Sequence, residues 1–256
     1  MNQFILDKVS HLDCEQFIQR NCEFTQKFLT ATNSSGIILS LDGKLDSAIL
    51  LFLFRKFMTK KIKVLIFTTN STVSSDTSDA QSLATDLKIP YEIIDTTFIK
   101  NAYQKITQSS INTSDIPIQI QITLLYHFAY TLNYLVVNTC NYSDYLTNNV
   151  IQSMNNIADI LPLHRLYQSQ IMRLGEFLGI PQNILEKSDM PNLPSRSTLN
   201  HKVGPTYEEL DSILYCLESN LDSSEIYSCT EIPDYLISYI KTLYENNKHK
   251  GQQSFK

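Results

Sequence analysis

The chain has 256 residues, which fits one α/β domain spanning 1–256 better than two, at roughly 150 residues per domain. With 43% hydrophobic and 18% charged residues it can build a core, which excludes disorder. A net charge of −5 with no basic block excludes a cationic nucleic-acid stripe, and the longest apolar run, Ala48 to Phe54, falls well short of the ~20 residues of a membrane span.

Residues 13–31 carry apolar side chains (Phe17, Ile18, Cys22, Phe24, Phe28, Leu29) at helical spacing, ended by the polar stretch Thr32–Gly36. Gly36 to Leu41 is a nearly continuous apolar run, the pattern of a strand covered on both faces. Asp42-Gly43 breaks it, and a helix is predicted from Asp46 to about Thr59. The alternation repeats, with a strand at 63–68, a helix at 75–88, a strand at 91–95, helical segments at 98–107 and 117–133, and a strand at 134–138. Beyond residue 160 the chain reads as helix, over 167–178, 206–217 and 232–246. Strands separated by helices imply βαβ units, hence an open parallel sheet with helices on both faces and a helical C-terminal part. Ligands of such sheets sit at the carboxyl ends of the strands, which directs attention to loops 42–47, 68–75 and 138–160.

Counts of particular residues narrow the chemistry. The six glycines are about a third of the ~7% average, and there are five arginines, so little is available to wrap or clamp phosphate. The five cysteines (Cys14, Cys22, Cys140, Cys216, Cys229) lack C-x-x-C spacing, the thiol pattern of a reducing cytoplasm without a zinc site or disulfide framework. The N-terminus has no basic stretch followed by an apolar core, so no secretory signal is expected. Asp42-Gly43-Lys44-Leu45-Asp46-Ser47 lies between a buried strand and a helix, where main-chain N–H groups can hold phosphate. A tight turn with an Asp46 or Ser47 helix cap accounts for the same residues.

The segment from Gly36 to Ser47 resembles the strand and pyrophosphate loop of the ammonia-dependent NAD synthetase family, S-G-G-x-D-S. Further matches follow in order: Asp79-Ala80, Leu83-Ala84, Ile89-Pro90-Tyr91, Leu124-Leu125-Tyr126 and Leu135 to Val137. Next come Asn141-x-Ser143-Asp144 (family N-K-S-E), Ala158 to Leu163, Leu166 to Gln170, Leu178 to Pro181, Ile184 to Lys187 and Tyr207 to Asp211. The resemblance covers roughly residues 15 to 250. It implies an adenine-nucleotide α-hydrolase-like, Rossmann-like sheet, a homodimer, and ATP with Mg. The implied reaction adenylates the carboxylate of deamido-NAD, and ammonia then displaces AMP.

By the same resemblance Asp42, Gly43, Lys44, Asp46 and Ser47 form the ATP/pyrophosphate loop, and Asp46 and Asp144 a magnesium pair. Asn141, Asp159, His249 and Lys250 take substrate positions. The chain departs from the pattern at cations. The family's arginine pair falls on Gln119 and Gln121, and its lysines fall on Tyr142, Gln152 and Gln168. In the loop, Asp42 replaces Ser and Lys44 replaces the second Gly, bringing a carboxylate and a Cβ to a place that suits bare backbone. The G-D-G loop becomes Met154-Asn155-Asn156, P-S/T-A-D-L becomes Asp189 to Leu193, and an acidic run becomes Leu199 to Lys202. Charge-assisted contacts contribute about 1.5–3 kcal/mol each, so losing five removes on the order of 7 kcal/mol, about five decades in rate, although such terms are not strictly additive.

Three functional readings follow. The leading one is a homologue that keeps fold and dimer with little or no ligase activity. The others are an active synthetase with a rebuilt phosphate site using Lys44 and Lys202, and a non-catalytic nucleotide-binding or protein-interaction module. The structural alternatives are helix capping for Asp46 and Asp144, a solvated helix face for the four glutamines, a surface position for His164 and buried packing for Cys140. Tyr235, Leu236, Tyr239, Ile240 and Leu243 form a helical apolar face assigned to core or dimer surface.

Overall fold

Ile37, Ile38 and Leu39 are fully buried, so β1 (Gly36–Ser40) is covered on both faces, as its apolar run requires. The computed structural model describes residues 2–57, 61–69, 74–107, 118–147, 157–187 and 206–251. Around β1 lie β2 (Ile62–Thr68), β3 (Tyr91–Asp95) and β4 (Tyr134–Val137), in the order β3-β2-β1-β4 with every pairing parallel. The chain therefore runs outward from β1 to β3 and returns to place β4 on the other side of β1. That reversal opens a crevice between the carboxyl ends of β1 and β4.

The period-two alternation of the strands assigns the two layers. Ile37, Leu39, Val64, Ile66, Leu135 and Val137 face one core. It is completed by α2 (Cys14–Ala31), α3 (Leu45–Phe57), α4 (Ser75–Asp86), α8 (Gln168–Leu178) and α9 (Gln182–Leu185). Ile38, Leu65 and Val136 face the opposite layer, where α6 (Ile118–Leu132) contributes Leu125 and Ala129. The run from Ala48 to Leu51, with Leu53 and Phe54, is fully buried in α3, which packs on α8, α2, α4 and α9. β3 is an edge strand with Tyr91 and Ile93 exposed, and α5 (Thr97–Thr107) follows it.

A second core belongs to the C-terminal helices α10 (Tyr207–Glu218), α11 (Ser223–Thr230) and α12 (Asp234–Gly251), joined by α1 (Gln3–Ser10) and α7 (Tyr142–Thr147). Leu236 and Ile240 are buried in it and Tyr239 packs against it, whereas Tyr235 is exposed. Four helices were not foreseen: α1, α7, α9 and α11. They are only 8, 6, 4 and 8 residues long, too short for periodicity to register. The capping box at α11, Asp222 with Glu225, was the signal available.

Each of the four helix-to-strand joins contains a left-handed residue: Asn33 (φ 52°) before β1, Lys61 (φ 65°) before β2, Lys88 (φ 54°) before β3 and Asn133 (φ 55°) before β4. Asn133 also donates from Nδ2 to the Asn33 carbonyl at 2.9 Å, tying two of these joins together. Among the described residues no helix is long and apolar enough to cross a membrane.

Candidate functional site

The β1–α3 loop is shaped by Gly43, whose φ of +78° suits glycine. A Cβ at this position would run into the backbone carbonyl of Asp76 in the first turn of α4, so loop and helix are packed backbone to backbone. Asp42 then turns its carboxylate into the loop. Its Oδ1 accepts the Lys44 N–H at 3.1 Å and the Ser47 hydroxyl at 2.6 Å, and the Asp42 N–H donates to Ser47 Oγ at 3.4 Å. Phosphate loops offer their main-chain N–H and hydroxyl donors to a ligand anion. Here a side-chain anion of the same loop takes two of them.

Beside the loop is a cavity of about 290 Å³ lined by Ser40, Asp42, Lys44, Phe67, Asp76 and Gln121, among others. Lys187 on the segment after α9 bridges Asp76 at 2.6 Å and also pairs with Asp79, while Asn183 donates to Asp79 at 3.2 Å. This latch holds α4 against α9.

In the switch-point crevice, α3 presents Asp46 and the β4–α7 connection presents Asn141, with Asp144 in the first turn of α7. Asn141 is fully buried, and its Nδ2 lies 3.0 Å from Asp46 Oδ2, 3.0 Å from Asp144 Oδ2 and 2.7 Å from Gln168 Oε1. One amide nitrogen has two hydrogens for these three acceptors. Among the described residues Asp144 Oδ1 is buried without a partner. Burial raises the Asp46 carboxyl to about 6, with the Asn141 hydrogen bond opposing and the Asp42 charge adding to the rise. Burial raises Asp144 further, to about 8, reinforced by the charges of Asp46 and Asp211.

Gln168 thus corrects one expectation. It is buried rather than on a solvated face, and its neutral amide closes the Asp46–Asn141–Asp144 group. Tyr142 corrects another, since it does not stand in the site. Its hydroxyl donates to Glu218 Oε2 at 2.8 Å, its ring meets Tyr167 edge-on at 5.2 Å, and Tyr244 donates to the same Glu218 carboxylate. Gln121 lines the cavity, but Gln119 is not among its lining residues. Asp159 is used by the scaffold, accepting the Val136 N–H at 2.7 Å.

His164 is half-buried against Tyr145, ring centroids 4.8 Å apart, with Nδ1 buried, so its surface assignment is also corrected. Burial and Arg165 hold its imidazole below the usual range. Cys140 is buried, and burial together with the Asp144 and Asp46 charges raises its thiol far above the ordinary value, which suits packing and not nucleophilic chemistry. Gln152, residues 154–156, 189–193 and 199–202 lie outside the described residues, as do the side chains of His249 and Lys250.

Beneath the crevice sits a buried carboxylate that the sequence reading did not single out. Asp211 of α10 is fully buried. It accepts the Ser143 hydroxyl (2.5 Å) from α7 and the Ser169 N–H (2.7 Å) and hydroxyl (2.6 Å) from α8. Ser143 Oγ in turn accepts the Gln168 N–H at 2.9 Å. An acid among Leu210, Ile213 and Leu214 was the available signal, because lone buried acids need dedicated partners.

Burial raises Asp211 to about 6, with the serine hydrogen bonds opposing, from 3.8. Between those values the folded chain holds a proton that the unfolded chain has lost, so unfolding free energy falls as the pH rises through the window. The contribution is present below the lower value and gone above the upper one. Asp211→Asn removes this titration. The variant's stability relative to the parent is therefore expected to rise by about 2–3 kcal/mol from pH 4 to pH 7. Urea unfolding at both pH values measures it, and a pH-independent difference excludes it.

An open parallel α/β sheet with paired carboxylates at its switch point defines a class of proteins that handle ligands at the strand ends. The NAD synthase family model matches residues 17–254. The chain belongs to the NAD synthase family. It is 29% identical over 243 residues to the NH3-dependent NAD+ synthetase of Thermococcus sibiricus, covering 93% of this chain and 95% of that one. The NH3-dependent NAD synthetase of Campylobacter jejuni superposes with a TM-score of 0.76 at 24% identity, covering 96% of this chain and 99% of the other. The NMN synthetase of Francisella tularensis superposes at 0.74 with 21% identity and the same coverage. At those identities the two structures establish the fold.

Proposed function

We propose that this chain is an ammonia-dependent NAD synthetase homologue that retains the fold and the homodimer and has lost most or all ligase activity. The observation that carries the reading is the Asp42 carboxylate seated on the Lys44 N–H and the Ser47 hydroxyl. A pyrophosphate group entering this loop would have to displace a covalently attached anion whose effective concentration is far above that of any solute. The remaining electrostatics agree. Among the described residues that line the cavity beside the loop, two carboxylates, Asp42 and Asp76, stand with the cation Lys44, and Asp76 is already engaged by Lys187 at 2.6 Å. Gln121 and Gln168 stand neutral where the family has cations. A reaction that transfers AMP from ATP to a dinucleotide carboxylate and releases pyrophosphate depends on preorganised positive charge.

The test is amide formation with ATP, magnesium and ammonia, offered deamido-NAD and, separately, the deamido counterpart of NMN. The expected outcome is product at least about a thousandfold below the ordinary 1–10 s⁻¹ of enzymes. Turnover in that ordinary range would falsify the reading.

A second reading, an active enzyme with a rebuilt phosphate site, draws on the retained crevice. Asp46 and Asp144 supply carboxylates, and Asp144 Oδ1 is a buried oxygen without a partner, donor chemistry that suits a hard cation such as magnesium. Among the described residues no group of three or more His, Cys, Asp or Glu could hold a metal unaided. Magnesium here would neutralise phosphate charge, and Lys44 and Lys202 would stand in for the missing cations. ATP binding that requires magnesium and disappears in Asp144→Asn would favour this second reading over the first.

The dimer is supported by apolar side chains left in solvent on α5 and α6: Phe98 at 84%, Ile106 at 81% and Tyr130 at 89% exposure. Sedimentation equilibrium is expected to give twice the chain mass, shifting to the single-chain mass in Phe98→Glu/Tyr130→Glu. A single-chain mass for the parent sinks the assignment. Cysteines held as thiols rather than disulfides among the described residues suit a cytoplasmic location.

A further inference from the structure

At the amino ends of the strands, opposite the crevice, the structure holds a second and larger cavity of about 590 Å³. Its lining divides by element. The β2–β3 side brings Arg55 from the end of α3, Lys61 and Lys63 at the start of β2, and Lys88 at the join into β3. The α6–β4 side brings Phe128, Leu132 and Tyr134. Four cations face one carboxylate, Glu92, and Glu92 is already engaged by Lys63 at 3.1 Å. Among the described residues neither Lys61 nor Lys88 forms an ion pair. In a chain of net charge −5 this is a local reversal of sign.

The backbone at these two lysines supplies an independent observation. All four helix-to-strand joins need a left-handed residue. At Asn33 and Asn133 the chain uses asparagine, a residue enriched in that conformation. At Lys61 and Lys88, the two joins that border the cavity, it uses lysine, which gains nothing from the left-handed region. Residues held in a disfavoured backbone conformation concentrate where a ligand needs them. The same turn is thus built in two ways, and the cationic way coincides with the cavity.

We propose that this cavity binds a small phosphorylated compound carrying a flat ring, of the nucleoside diphosphate class. Lys61, Lys88 and Arg55 receive the phosphates, and the ring lies against Phe128, Leu132 and Tyr134. The volume suits a ligand of that size. Arginine and lysine on one wall provide charge-assisted contacts, and Arg55 is steadied by the hydrogen bond from its Nε to the Leu87 carbonyl at 2.8 Å. The site is independent of the β1–α3 loop and of any ligase activity.

The experiment is a calorimetric titration of the full chain with ADP and with inorganic pyrophosphate, both without magnesium. Three proteins are compared: the parent, Lys61→Asn/Lys88→Asn and Lys44→Ala. Asparagine keeps the left-handed turns, so the double variant removes charge without removing the fold, and its melting temperature is expected to equal or exceed the parent's. ADP is expected to bind the parent and Lys44→Ala alike, and to bind the double variant about tenfold or more weakly. Pyrophosphate is expected to bind more weakly than ADP, because it has no ring. Absence of ADP binding to the parent overturns the proposal, as does unchanged affinity in the double variant or loss of binding in Lys44→Ala. Equal affinities for ADP and pyrophosphate overturn the assignment of the ring.

Discussion

Replacing Asp42 by serine and Lys44 by glycine is expected to give the β1–α3 loop magnesium-dependent ATP binding at roughly 100 µM or tighter, from a magnesium-dependent affinity of that loop in the parent weaker than about 1 mM. The change acts on donors. In the parent, Asp42 Oδ1 holds the Lys44 N–H and the Ser47 hydroxyl. Serine at 42 carries no charge, and glycine at 44 removes a side chain from beside the backbone that phosphate must approach. Charge-assisted hydrogen bonds contribute about 1.5–3 kcal/mol each. Two donors returned to the ligand therefore outweigh the loss of the single lysine charge, which stands on an exposed residue. Calorimetry with and without magnesium reads the result directly. If the double variant binds no better than the parent, the loop is not what blocks the site.

Gly43→Ala is expected to remove about 3 kcal/mol or more of stability, enough to lower the melting temperature severely or prevent folding. Two penalties add. The backbone at φ +78° disfavours a side chain, and the new methyl would collide with the Asp76 carbonyl in the first turn of α4. Neither can be relieved cheaply, because α4 is fastened from its other side by Lys187 to Asp76 and Asp79. Gly179→Ala is the control. That glycine caps α8 at φ +73° with open space where a Cβ would stand, so only the conformational term of about 1 kcal/mol applies. Thermal melts of the two variants should differ widely, and similar losses in both would show that the contact with α4 has no weight.

The sheet was legible because its strands announce themselves. Ile37 to Leu39 and Val64 to Ile66 are buried runs too short for helices, and each is followed by a helical stretch. The predicted strand 91–95 agrees with β3, and the helix ends fall within five residues of those predicted, several of them coinciding. The site was legible in part. The loop, Asp46, Asn141 and Asp144 were all marked, and the fold brings the last three together through a single amide. What sequence could not supply was direction. The resemblance places Tyr142 and Gln168 at one site, yet one turns toward Glu218 and the other is buried in the crevice. Side-chain direction depends on packing with α8, α10 and α12, helices far along the chain. Asp211 escaped for the same reason, since its serine partners lie on two other helices.

The knot around Asp211 has a bearing on how kinship with ligases should be interpreted. It joins α7, α8 and α10, so it is the polar seam between the sheet layers and the C-terminal bundle. Ser143, Ser169 and Asp211 all fall in blocks shared with the ligases, yet each is spent on holding the molecule together. A lineage that abandoned its chemistry would still be held to these letters, because changing any one of them leaves buried polar groups of the seam short of a partner. Family membership read from such positions certifies architecture and leaves catalysis to be measured.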